Sequence, residues 1–459
     1  MKSRLKHFTV LLVALALLTA GCAKAAGKSP LNPKEPVTVS MWHNFGGEMQ
    51  MTIDALIDEF NSTVGRDQGI IINVTAITSS AELQKSLNMI ASGDPGAPAM
   101  PDIATAYPKT AILFQQKGML ANLDDYFTEE ELAGYVPQFV EEGRIGDGLY
   151  VFPISKSTEI LYLNQTLFDQ FAVENQVTME CFSTFEGLAD AAQKYYDWTD
   201  AKTPDVPNDG KAFYAADSWV NLAQAGMRQQ GDSLFDAENL NLDGDSYRRI
   251  WEAVCPPAIT GAFAIYDGYS SDLSKTGDLV CSTGSSAGIL FYGDTITHPD
   301  GRVERVEYSI LPFPVFEGGE KIAIQRGNGM MVSKSDLTHE YASAVFLRWF
   351  TAPEQNMRFI ASTGYLPVSK EAFENRMETE IERVEDYRIK KMLVAVTEMY
   401  RDYQFFVAPV FEGFDSMSKA YEQDFKQRMV SLHEKWIVSD GEASLEKMTA
   451  EALREWRGR

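Results

Sequence analysis

Gly284-Ser285-Ser286-Ala287-Gly288 fits the spacing G-x-S-x-G, the turn that presents a serine nucleophile between a strand and a helix. A hydrolase built on Ser286 needs an acid and then a histidine downstream, and His298, His339 and His433 are the candidates. No HGGG-type oxyanion loop precedes the turn, and His298 and His339 fall in polar loops. The plainer reading is a tight strand-to-helix turn. Its backbone N–H groups and the hydroxyls of Ser285 and Ser286 are then donors for a phosphate or for other ligand oxygens. There is no P-loop, HExxH or dinucleotide fingerprint. Asp243-Gly244-Asp245 lacks the twelve-residue ligand pattern of a calcium loop and reads as a surface turn. Neither a metal nor a cofactor is expected. Cys181, Cys255 and Cys281 form no CxxC; Cys255 and Cys281 could bridge, or all three could be buried thiols.

Four aromatic residues, Trp42, Tyr107, Trp219 and Tyr365, lie beside turns or strand ends. Core packing is the ordinary fate of each, but four at loop edges also fit a cleft that stacks on a ligand. His43 beside Trp42 reads more readily as a hydrogen-bonded structural residue than as a catalyst. Thr351-Ala352-Pro353-Glu354 reads as a capping box with proline in the first turn. Gly364 should close that helix and Pro367 prevent its continuation, leaving Tyr365 rigidly presented.

These residues need elements to position them. Alternation over 37–41, helical spacing over 49–61, a β-branched run over 70–77, a helix over 81–91 and a short strand at 103–106 imply parallel strands in an α/β sheet. Ligands of such sheets sit beyond the carboxyl ends of the strands, here Trp42-His43-Asn44 and Tyr107-Pro108. Residues 148–163 read as two apolar strands with a polar corner at 155–158. Helices near 183–197, 217–230 and 246–254 follow, with strands near 278–283, 306–312 and 322–332 and a charged helical tail from 371. A chain of 459 residues exceeds one ordinary core, so two or three domains are expected. With 41 basic and 65 acidic residues, net −24, it is a poor nucleic-acid ligand. Lys2, Arg4 and Lys6, an apolar run over 8–18 and small residues before Cys22 have the parts of a secretory signal spanning 1–21. Leu18-Thr19-Ala20-Gly21-Cys22 resembles a bacterial lipobox, which implies a lipidated Cys22 as first mature residue and residues 22–36 as a tether. No later stretch reaches 18 apolar residues.

Trp42-His43…Gly47-Glu48, Pro101-Asp102-Ile103, the run from Ser157 to Asn164, Ser285-Ser286 and Thr363-Gly364-Tyr365-Leu366-Pro367 recur in order. Together they resemble the extracellular solute-binding proteins of family 1, which feed ABC importers of the carbohydrate-uptake type. Among these the chain is most similar to the glycerol-3-phosphate and glycerophosphodiester binders. The resemblance implies a two-lobe periplasmic-binding-protein fold of type II, with crossing hinge strands and the ligand in the inter-lobe cleft. It implies a first lobe of 37–153 and 320–351, a second of 156–312 and 353–459, and hinges near 154–157, 312–314 and 351–353. It would place Glu48 and Tyr107 on the cleft from the first lobe, and Trp219, Ser285, Ser286 and Tyr365 from the second. Gly327, Asn328 and Gly329 would lie at the return to the first lobe; Trp42, His43 and Ser157 complete the candidate ligand-binding set. The phosphate-binding relatives carry an arginine near the C-terminus, whereas the corresponding stretch 405–414 has none, and Arg401 is only nearby. The expected ligand is a sugar, polyol or glycerol-phosphate-type solute, and the missing arginine moves it towards the neutral sugar or polyol, because arginine is the usual bidentate phosphate partner. The implied partners are a small polyhydroxylated solute, ABC permease subunits and, through the N-terminal lipid, the extracytoplasmic face of the membrane, with the protein a monomer. A secreted serine hydrolase using Ser286 is the alternative.

Overall fold

The computed structural model describes residues 29–458 except 78, 237–238, 412 and 440–443; the side chain of Glu48 also lies outside the description. The expected signal and the lipidated Cys22 therefore fall outside the described residues.

One nine-stranded sheet runs through the molecule. Its strands are β1 (Val37–His43), β2 (Ile70–Ala76), β3 (Ile103–Ala106), β4 (Phe152–Asn164), β5 (Tyr214–Ala216), β6 (Cys281–Ser285), β7 (Tyr308–Leu311), β8 (Ile322–Val332) and β9 (Gln404–Val407). The order is β2-β1-β3-β8-β4-β6-β5, with β7 added to β4 and β9 to β8. β1 pairs in parallel with β2 and with β3, as the strand–helix alternation predicts. The crossovers are helices α1 (Glu48–Phe60) and α2 (Ser80–Ser92), and α3 (Pro108–Gln116) leaves the end of β3.

Residues 148–163 do not form two strands around a corner. β4 is one thirteen-residue strand, buried along its whole length, that changes partners. Up to Thr158 it pairs with β8, and from Glu159 onward it pairs with β6 and β7. β8 pairs with β4 from Gln325 to Met330 and takes up β3 as a second partner from Gly329. These two strands are the crossing elements between the lobes. At Gly329 the close approach of Phe152 leaves no room for a side chain, since an added Cβ would meet its carbonyl oxygen.

The crossing forces polar side chains inside. Lys156 donates to Glu142 at 2.7 Å with their side chains 2% and 6% exposed, and Gln325 adds a hydrogen bond to the same carboxylate. Thr158 donates to the Ile324 carbonyl, and Asn356 bridges the Ile154 carbonyl and the Val368 N–H.

The second lobe packs α4 (Phe185–Asp200), α5 (Trp219–Gln229) and α6 (Asp245–Thr260) around β5–β7. Two expectations change in the last third. The helix α7 (Pro353–Ile360) is capped by Ala352 with no side-chain bond. Thr351 instead donates to the Leu347 carbonyl and shares a hydrogen bond with Tyr135, so the capping box does not form. Nor does the chain leave the first lobe at 351–353. Arg358 pairs with Glu59, Ser362 bonds Thr52, Phe359 packs on Phe45, and Val136 donates to the Val368 carbonyl. The passage to the second lobe comes after residue 370, where α8 (Tyr387–Asp402) packs on β7 and donates from Lys391 to Tyr308. The tail ends in α9 (Phe414–Val438) and α10 (Leu445–Arg457), both against α6. The strand β9, inside the stretch read as helical, extends the sheet beside β8. Cys181, Cys255 and Cys281 are free thiols.

Removing one member of the Lys156–Glu142 pair strands a buried charge. Lys156→Met should cost about 3–5 kcal/mol in denaturant unfolding, with Glu142→Leu added to it recovering most of the loss.

Candidate functional site

A cleft of about 690 Å³ opens where β4 changes partners. Its floor is the crossing segment: Ser157 of β4 and Gln325, Arg326, Gly327 and Asn328 of β8. One wall is first-lobe and polar, with Gln84 and Asn88 of α2 and Tyr107, Lys109 and Thr110 at the start of α3. The facing side combines Asn221, Ser285 and Ala287 of the second lobe with Tyr365. The stretch from Val407 to Phe411, then Phe414, Asp415 and Ser416, closes the site with largely apolar side chains. This loop is tied down because Phe411 and Phe414 pack on Phe235. Across the rim Lys109 of the first lobe meets Asp415 of α9 at 2.5 Å.

Arg326 is a charged group on the floor of the cleft. Its Nη1 donates to Glu159 Oε1 at 2.8 Å, and Asn221 Nδ2 donates to that same oxygen at 3.1 Å. The carboxylate is sealed while the guanidinium keeps 41% of its side-chain surface open to the cleft. Burial pushes the Glu159 carboxyl above its ordinary range, against the pull of Arg326. Burial works against the charge of Arg326 too, but Glu159 outweighs it and the guanidinium is held more firmly protonated. Among the described residues lining the cleft only Arg326 and Lys109 carry positive charge, and each already holds a carboxylate.

Residues 55–384 match the family described as bacterial extracellular solute-binding protein. The chain belongs to that family. This solute-binding protein is 23% identical over 389 residues to the sn-glycerol-3-phosphate-binding periplasmic protein UgpB of Escherichia coli K12, with 80% of each chain covered. Its fold is similar to that of the cyclic alpha-maltosyl-1,6-maltose binding protein from Arthrobacter globiformis, with a TM-score of 0.69 at 20% identity over 91% of this chain and 97% of the other. It is also similar to UgpB from Mycobacterium tuberculosis in complex with glycerophosphocholine, with a TM-score of 0.63 at 16% identity over 91% and 97%. The expected family and the periplasmic-binding-protein fold are thus both found. Among the described residues no helix is long and apolar enough to cross a membrane.

The structure of this solute-binding protein gathers some of the sequence candidates and scatters others. Tyr107, Ser157, Ser285, Asn328 and Tyr365 line the cleft. Tyr107 sits at the carboxyl end of β3, where a ligand was expected, and is 40% exposed. Tyr365 follows Gly364, whose φ of +73° turns the chain out of α7, and its ring stacks on Phe359. Burial raises the Tyr365 phenol to about 12, so it stays a neutral donor.

Trp42, His43, Trp219, Ser286 and Gly329 do not line the cleft. Trp42 packs on the cluster around Leu83 and Leu87. His43 is buried and accepts the Phe45 N–H at 3.2 Å; burial lowers its imidazole below the ordinary value, against the opposing pull of Asp54. Trp219 is 2% exposed, set between Phe263 and Phe425 in the second-lobe core. Gly329 serves the strand crossing.

Ser286 Oγ is sealed and, among the described residues, has no hydrogen-bond partner. His298 instead meets Glu304, His339 meets Asp336, and His433 meets the Ile259 carbonyl. An activated nucleophile requires a base within hydrogen-bond reach, and among the described residues none bonds Ser286. Arg326 and Glu159 were missed by the sequence reading, which sought an arginine only where the phosphate-binding relatives have one. The described residues 407–411, 413 and 414 of that stretch do contribute to the cleft, and they supply carbon rather than charge.

Trp219→Ala should cost about 3–5 kcal/mol of stability, the loss of a large core ring. Tyr365→Ala should instead weaken the affinity of the cleft ligand by about 2 kcal/mol, read by calorimetry on protein whose circular dichroism is unchanged.

Proposed function

We propose that this protein captures a neutral sugar or short oligosaccharide by lobe closure and delivers it to an ABC permease. The carrying observation is that both cations among the described residues lining the cleft already pair with a carboxylate, Arg326 with buried Glu159 and Lys109, at the exposed rim, with Asp415. A phosphate is best held by uncommitted cations and N–H groups. A sugar needs many moderate donors and acceptors plus a carbon surface, and the cleft offers Arg326, Ser157, Ser285 and Asn328 beside Tyr107, Tyr365 and Phe411. Its volume falls within the range of roughly 300–1,000 Å³ usual for small-molecule sites. Relatives whose names specify a ligand include both kinds, a cyclic maltosyl-maltose and a glycerol phosphate. No covalent step is involved. The ligand bridges lobes joined by β4 and β8 and shifts the population toward the closed form.

A thermal-shift and calorimetric screen of neutral mono- and oligosaccharides against sn-glycerol 3-phosphate tests the reading. A neutral sugar at 100 times its dissociation constant should add about 2.7 kcal/mol of stability. Tighter binding of sn-glycerol 3-phosphate than of every neutral sugar would overturn it.

The mature chain is further proposed to be held at the outer face of the cell membrane by lipid on Cys22, on the strength of the Leu-Thr-Ala-Gly-Cys segment. Cys22→Ala should move the protein from the membrane fraction to the soluble fraction; unchanged membrane association would refute the anchor.

A further inference from the structure

An arginine at the floor of a cleft ordinarily recruits anions, and here its carboxylate partner stands in the way. Glu159 is fixed in space. Its backbone pairs with Ser285 in β6, its Oε1 takes hydrogen bonds from both Arg326 and Asn221, and its side chain is 4% exposed. It cannot swing aside to admit another anion. A guanidinium carries five N–H donors, and the pair with Glu159 uses Nη1. Among the described residues Arg326 has no other hydrogen-bond acceptor, and it lines the cleft with 41% of its side-chain surface exposed and its charge offset by Glu159. Asp217 adds a second negative charge beside the pair, its carboxylate fixed by the Ser270 N–H and hydroxyl at 2.8 and 2.6 Å.

We infer that Glu159 is a positioning residue that sets the ligand class of the cleft: it aims Arg326 and cancels its charge, so that the guanidinium serves hydroxyl oxygens and rejects phosphate and carboxylate. The physical reason lies in distance. An anion reaching Arg326 would come within a few ångströms of a carboxylate that is held in place, so repulsion offsets much of the attraction. A hydroxyl oxygen carries no net charge and escapes that repulsion, while still accepting the N–H groups. Specificity here includes a repulsive element as well as the attractive one. The inference rests on the neutral-ligand reading, and its test separates the two.

The test is Glu159→Gln in the full chain. Glutamine keeps the shape and an oxygen that accepts from Arg326 and Asn221, and removes only the charge. Binding of sn-glycerol 3-phosphate and of a neutral panel of maltose, maltotriose and glycerol is measured by calorimetry at low and high salt. Glu159→Gln should gain about tenfold or more in affinity for sn-glycerol 3-phosphate, the contribution of one charge-assisted hydrogen bond. The gain should shrink at high salt and vanish when Arg326→Gln is added. A purely structural role for Glu159 would lower binding of every probe and create no preference. If Glu159→Gln does not fold, Asp217→Asn must give a smaller gain of the same sign. A folded Glu159→Gln with no gain for the phosphate overturns the inference while leaving a sugar-binding parent intact. A parent that already prefers sn-glycerol 3-phosphate overturns the neutral-ligand reading itself. The gain is scored on the phosphate probe, so the outcome does not depend on the panel containing the natural sugar.

Discussion

The structure depends on one strand serving two lobes. β4 must satisfy its backbone groups against β8 at one end and against β6 and β7 at the other. Buried N–H and C=O groups left unpaired are costly, so the exchange of partners has to be abrupt. It occurs between Thr158, opposite Gln325, and Glu159, opposite Ser285. At that point the two halves of the sheet diverge, and the cleft opens there. The same divergence explains the run of polar residues from Ser155 to Glu159 inside a strand with no exposed position. Of these side chains Ser157 lines the cleft, Thr158 bonds the Ile324 carbonyl, and the charged ones meet partners supplied by other elements. Glu142 comes from the first lobe, Asn221 from the second, and Arg326 from the other crossing strand.

Charge follows from this geometry. The chain carries net −24, a property of its whole surface, yet its cleft is a set of closed ion pairs. A buried ion pair is weak evidence of stability, because desolvation consumes most of the attraction. Lys156–Glu142 and Arg326–Glu159 are better understood as devices that hold the crossing in one arrangement. The second of them also leaves donors facing the ligand. That separation of roles, with the carboxylate sealed and the guanidinium open, is what makes the floor of the cleft polar without making it strongly charged.

The first lobe was legible in the sequence because its signals are local. Period-2 and period-3.6 patterns over β1, α1, β2 and α2 match the observed bounds within one residue or two. The candidate site was legible only where a turn fixed a side chain: Tyr107 at the end of β3, Ser285 at the end of β6, and Tyr365 after a glycine with positive φ. Trp219 shows why the other aromatics could not be sorted. It begins a helix beside a turn, as Tyr107 does, but the neighbours that bury it, Phe263 and Phe425, are remote in sequence. Thr351 shows the same limit for capping, because its hydroxyl is taken by Tyr135, 216 residues away. For Arg326 a signal existed. An arginine between Ile322 and Val332 stands inside a strand that is otherwise nearly all apolar or glycine, and such a charge must either meet a partner or line a cavity. Here it does both.

The two sides of the cleft differ in kind, and the difference bears on how a ligand would sit. Gln84, Asn88 and Thr110 present amides and a hydroxyl, already partly ordered by the Thr110 to Gln84 hydrogen bond at 2.6 Å. The segment from Val407 to Phe411 presents aliphatic and aromatic carbon, and it cannot turn away because β9 is paired to β8 and Phe411 is packed on Phe235. A phosphate ester gains little from a carbon wall, since its anionic oxygens would have to be desolvated against it. A sugar ring has hydroxyls around its edge and C–H groups on its faces. Placed between these sides it can bury carbon against carbon while its edge reaches the donors on the floor. On the proposed reading shape and charge select for the same ligand class, one through an apolar wall that the sheet holds in place and the other through a carboxylate that the same sheet holds fixed.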